Sequence, residues 1–183
     1  MKKLCNIKLF LLATFLFFIG SNVVYAADEL KFEGFLTGAQ EVTSPAGGVV
    51  TDTSGVIEVE FDKGLSQAQF RLSVSNGTGL TQAHLHCASA GVNGPVVVSL
   101  FGPADPPVDV GEGSTEGILD NSKIIVPSDT EACDVPVNNI ASLAFAIRAG
   151  KIYANVHSTD FPNGVARGQL LPKEDDDDDL NPF

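Results

Sequence analysis

Three histidines, His84, His86 and His157, are the residues whose type and spacing point most directly to chemistry. His84 and His86 stand two apart in residues 81–87 (TQAHLHC), and His157 ends residues 152–157 (IYANVH); both runs read as strands. Strand side chains alternate between faces, so residues two apart project together, with Cα atoms about 6–7 Å apart. Two imidazoles so placed can grip one metal ion. A third from a neighbouring strand completes a three-nitrogen set with an open position for water or a small anion. Neutral imidazole suits copper, zinc, iron or nickel, and copper or zinc is the expected ion if one is bound. The plain alternative is three polar residues hydrogen-bonded to nearby carbonyls, since an H-x-H pair alone is a weak motif.

Other chemical signatures are sparse. The chain has no G-x-S-x-G elbow, no P-loop and no H-E-x-x-H. Whether it is an enzyme stays open, with binding the first expectation. Glu58 and Glu60 occupy the outward positions of an alternating run and read as a solvated pair. Glu41 and Arg167 each sit beside a turn or strand edge in a sparse charge pattern, and are expected to form a structural ion pair pinning the first strand to the last. Asn76-Gly77-Thr78 is an N-x-T sequon, and a glycine-containing turn accounts for it equally well.

The elements that must position these residues are short and β-rich. The chain has 183 residues, enough for one domain, with 44% hydrophobic residues to build a core. Gly and Pro together number 28, which favours an all-β plan with many turns. Residues 30–36, 56–61, 68–74, 81–87, 96–101, 152–157 and 167–171 read as strands, and 56–61 with 68–74 as a hairpin. Residues 76–79 read as a turn and 102–115 as a long surface loop. Ile140, Leu143, Ala144 and Ile147 recur at helical spacing, with Asn138 or Asn139 to cap the start and Gly150 to close the end.

The N-terminus reads as a signal peptide over residues 1–26: Lys2 and Lys3, an apolar run at 9–20, and Val24-Tyr25-Ala26 before the cut. The run is too short for a comfortable bilayer crossing. The mature domain then spans 27–172 and is expected to be secreted or periplasmic, off the membrane once the leader is cut. Its partner is an unidentified protein or small ligand of the extracytoplasmic space. Residues 173–183 carry an acidic run expected to be a disordered tail. The formal charge is −12. A chain that acidic repels phosphate backbones and anionic lipid, which argues against nucleic-acid partners and membrane docking. Cys5 falls in the leader, so Cys87 and Cys133 remain as one pair in an oxidising compartment, and a disulfide is the default reading. The alternative makes Cys87, next to His86, a soft metal ligand.

Four ordered blocks carry a resemblance. They are residues 35–42 (FLTGAQEV); 83–86 (AHLH) with 91–98 (GVNGPVVV); 147–158 (IRAGKIYANVHS); and 163–170 (NGVARGQL). Together they resemble the CHRD domain, named for chordin and also found in secreted bacterial proteins. Ser158 stands where that family usually has Thr, and Cys87 where it often has a small residue such as Gly. The resemblance implies an all-β, immunoglobulin-like Greek-key sandwich with one short helix, acting as a non-catalytic extracellular binding module. The H-x-H strand in such a sandwich is also similar to copper/zinc superoxide dismutase. That enzyme's two-metal site needs more histidines than the three present here, so the parallel implies at most a mononuclear site, with redox activity as a further alternative.

Overall fold

A computed structural model describes residues 30–128 and 131–173. The leader and the acidic tail beyond Lys173 lie outside the described residues. Among the described residues eight strands and one α-helix follow in chain order, besides two short 3-10 turns: β1 (Lys31–Thr37), β2 (Ser54–Phe61), β3 (Ala68–Cys87), β4 (Val96–Phe101), β5 (Val108–Leu119), α1 (Ile140–Arg148), β6 (Ile152–Ser158), β7 (Ala166–Gln169) and β8 (Leu171–Pro172). Among the described residues no helix is long and apolar enough to cross a membrane.

The all-β class holds, but the arrangement differs from two separate stacked sheets. Antiparallel pairing runs from β2 to β1, β7, β6, β3 and back to β2, which closes a five-stranded barrel. β4 and β5 add to β3, and β8 adds to β1. The reason is the length of β3. It runs through 20 residues, so its first part pairs with β2 and β5 while its last part pairs with β6 and β4. The turn expected at 76–79 is a bend inside this one strand. Asn76 (φ 55°) and Gly79 (φ 60°) take left-handed conformations there, and the register to β5 breaks between Gly77 and Leu80.

The long loop expected at 102–115 is also corrected. From Val108 onward the chain is strand β5, paired with β3 from Leu80↔Val108 to Ala68↔Leu119. Its inward positions include Gly113, Thr115 and Gly117, too small to register as apolar alternation. Gly117 lies against the Phe70 ring, where even a Cβ would come within 3.0 Å of Cε1. Arg71–Glu116 and Ser75–Glu112 contacts cross the pair on its solvent side.

Alternation builds the core elsewhere. Ile57, Val59, Leu72, Leu85 and Val98 are at most 2% exposed. Helix α1 buries Ile140, Leu143, Ala144 and Ile147 on one stripe. Asn139 and Ser142 form its capping box. At its other end Gly150 (φ 69°) lets the Gly150 N–H reach Ile147 O and the Lys151 N–H reach Ala146 O, the paired bonds of a Schellman ending. Cys87 and Cys133 form a disulfide with Cα atoms 4.9 Å apart, tying the end of β3 to the segment before α1.

Candidate functional site

The last part of β3 and the whole of β6 lie side by side, and their register decides which side chains meet. Ala83, Leu85 and Cys87 point into the core and are buried. His84 and His86 therefore face the other way. Cross-strand partners share a face. His86 pairs with Tyr153 and Tyr153 with Gln169; His84 pairs with Asn155 and Asn155 with Arg167; Gln82 pairs with His157. This outer face is nonetheless buried at Tyr153, Asn155, His157 and Arg167. Arg167 donates to Val92 O and Asn93 Oδ1, both at 2.8 Å. Gly94 N–H donates to the Tyr153 hydroxyl at 3.1 Å. The 92–94 segment is thereby fastened over the face.

The three histidines converge. One ring nitrogen from each lies within 4.8 Å of the others. His84 Nδ1 and His157 Nε2 are 3.3 Å apart. Two nitrogens on one tetrahedral ion with bonds of about 2.0–2.1 Å sit about 3.3–3.4 Å apart, so this pair already has the spacing of a chelate. The tautomers follow from the partners. His86 Nδ1 meets Gly94 O at 2.9 Å and His157 Nδ1 meets Pro162 O at 3.0 Å. A carbonyl only accepts, so both Nδ1 atoms carry the hydrogen and both Nε2 atoms keep a lone pair. Among the described residues His86 Nε2 is buried without a hydrogen-bond partner. Backbone carbonyls that fix the far nitrogen of an imidazole are the support that metal-ligating histidines ordinarily have.

A family model for the CHRD domain matches residues 32–170. The chain belongs to the CHRD domain family. The match takes in the three histidines, both cysteines, Glu41 and Arg167. No curated protein and no solved structure gives a significant match.

Electrostatics keep the histidines of this CHRD domain neutral. Burial pushes the His86 ring down to about 4, with the nearby imidazoles and Arg167 adding to the effect against the opposing bond to Gly94 O. Burial also lowers His157, and burial and the His157 ring lower His84. Neutral imidazoles are what a metal ion requires. Cys87 does not join them: it points to the opposite side of β3, is fully buried and is bonded to Cys133. The soft-ligand alternative for Cys87 is thereby corrected.

The ion pair expected between Glu41 and Arg167 gives way to a buried network. Among the described residues no salt bridge joins them. The Arg167 guanidinium hydrogen-bonds the 92–93 segment and lies over the Tyr153 ring, 3.5 Å from Cζ to centroid. Tyr153 in turn stacks on His86, with centroids 4.9 Å apart and planes 11° apart. Asn155 Nδ2 donates to Glu41 Oε2 at 3.4 Å. Glu41 Oε1 and Asn155 Oδ1 are buried without partners. Both crowd against Gly164 (φ 134°), where a Cβ would stand 2.6 Å from each. Burial raises the Glu41 carboxyl to about 7, against the opposing charge of Arg167 and the bond from Asn155.

Sequence reasoning from the histidines alone misses Tyr153, Asn155 and Gly94. The first two carry a signal: Tyr153, Asn155 and His157 alternate with Ile152, Ala154 and Val156, a polar row on one face of a strand. Gly94 signals nothing until the fold is known. A Cβ there would collide with the Cys87 carbonyl, so only glycine brings its own carbonyl within reach of His86.

Proposed function

We propose that this CHRD domain is an extracytoplasmic binding module whose ligand is a single copper or zinc ion held by His84, His86 and His157. One observation carries the reading. Backbone carbonyls hold Nδ1–H of His86 and of His157 and leave both Nε2 atoms unprotonated, a ring nitrogen of each histidine lies within 4.8 Å of the others, and among the described residues the buried His86 Nε2 has nothing to bond. An unpartnered buried polar atom costs about 1–3 kcal/mol, and an ion bound there removes the cost. In the absence of an ion, a His84 N–H donating to His157 Nε2 accounts for the 3.3 Å contact, and a metal takes that proton's place. The leader-like N-terminus, the Cys87–Cys133 bond and the family support an extracytoplasmic location.

The test is metal content. Protein purified without a histidine tag and incubated with Cu or Zn should retain about one equivalent after desalting, and the His157→Ala variant should retain little. Wild-type protein that keeps no metal under both loadings overturns the proposal.

A further inference from the structure

The three ligands are neutral imidazoles, and a buried cation stands two stacked rings behind one of them. Among the described residues the cluster draws on His84, His86 and His157 alone, with no carboxylate or thiolate in it. Behind His86 stands Tyr153, and against Tyr153 lies the guanidinium of Arg167, which is 2% exposed. Its hydrogen bonds go to neutral acceptors, Val92 O and Asn93 Oδ1. A divalent ion entering such a cage brings two positive charges to a donor set that carries no anion. The desolvation penalty of an ion grows as the square of its charge, and the repulsion from Arg167 grows in proportion to it.

We propose that this site selects copper(I) over divalent ions, and that Arg167, acting across Tyr153, is the specificity-determining residue. Copper(I) is monovalent, takes imidazole nitrogen and is content with three ligands. The inference rests on the metal-binding reading above and adds to it the charge of the ion. Arg167 touches no metal in this account. Its role is to hold a fixed positive charge at the rear of one ligand. The same guanidinium keeps the 92–94 segment closed, so that Gly94 O orients His86 while Gly94 N–H anchors the tyrosine hydroxyl.

The experiment compares two affinities in one protein. Untagged wild-type, Arg167→Gln and Arg167→Lys proteins are titrated at pH 6.5. Copper(I) is measured anaerobically in ascorbate against bicinchoninate, and zinc(II) against a chromophoric chelator. The readout is the ratio of the copper(I) to the zinc(II) association constant. Arg167→Gln is expected to lower that ratio roughly tenfold, the effect of one charge about 10 Å from the ion, across two stacked rings, in a medium of effective dielectric near 20. Arg167→Lys, which keeps the charge, should stay within about threefold of wild type. A purely structural role moves both affinities together and leaves the ratio unchanged, and that result overturns the inference. So does an equal fall of the ratio in both variants. If Arg167→Gln fails to fold, Glu41→Gln at pH 8 replaces it. There the substitution removes the buried negative charge that offsets Arg167 and should raise the ratio, and no rise overturns the inference. A wild-type protein that binds neither ion refutes the metal reading itself, whereas one that binds with a ratio indifferent to these charges refutes only the selection of copper(I).

Discussion

Glu41 gives a stability measurement whose sign and size follow from its surroundings. Glu41 is 7% exposed, and among the described residues its carboxylate has one long hydrogen bond and one oxygen unpartnered. Burial lifts it from the ordinary 4.5 to about 7 in the folded chain. Between those pH values the folded protein binds more protons than the unfolded one, so stability falls as pH rises through that window. The full displacement corresponds to about 3 kcal/mol. Solvent screening brings the expected loss to about 2 kcal/mol. Glu41→Gln keeps the shape, removes the ionisation and supplies an amide N–H able to meet Asn155 Oδ1. The variant should match wild type near pH 4.5 and exceed it by about 2 kcal/mol above pH 7.5, about 6 °C in Tm for a domain of this size. Urea and thermal unfolding from pH 4.5 to 8.5, taken as the difference between the two proteins, cancel the histidines, whose lowered values weaken the fold on the acid side in both. A difference that is flat with pH, or a variant less stable at pH 8.5, refutes the account of Glu41.

Three further outcomes follow from the geometry. Gly94→Ala places a methyl against the Cys87 carbonyl and should destabilise the domain by about 1–3 kcal/mol, with metal retention falling as well, measured by melting and by metal content after desalting. Reduction of Cys87–Cys133 opens a loop with a sequence separation of 46; the loop-entropy model gives about 4 kcal/mol, and the loss should appear in the urea midpoint with and without a phosphine reductant. Metal-loaded protein should hold its ion through mildly acid buffer and release it as the histidines protonate. Burial lowers all three and takes His86 to about 4, so release should come well below pH 6.5, and complete release at that pH in a chelator-free titration would contradict the assigned neutrality.

The strands legible in the sequence are those whose inward positions are apolar. Ile57, Val59 and Phe61 in β2, and Phe70, Leu72 and Val74 in β3, announce themselves by alternation, and Asn139 with Gly150 announces the ends of α1. β5 is illegible because small residues fill its inward places where it passes over Phe70. The continuity of β3 is hidden because Asn76-Gly77-Thr78-Gly79 has the composition of a turn, and only the two sets of neighbours on β3 reveal that the strand bends and continues. For the same reason a closed barrel cannot be told from stacked sheets by pattern alone. At the site, the spacing of His84 and His86 gives their common face, whereas their meeting with His157 depends on the β3–β6 register. The grip of Arg167 on the 92–93 segment belongs to loop closure, which leaves no periodic trace.

The division of the histidines between β3 and β6 has a consequence for biosynthesis. His84 and His86 emerge from the ribosome more than seventy residues before His157, which lies in β6 ahead of β7 and β8. A nascent or threaded chain thus owns two-thirds of a chelate and no enclosure around it. On the proposed metal-binding reading, acquisition of the ion belongs to the completed molecule, and the ion bound would report the metal available where folding finishes rather than at the site of synthesis.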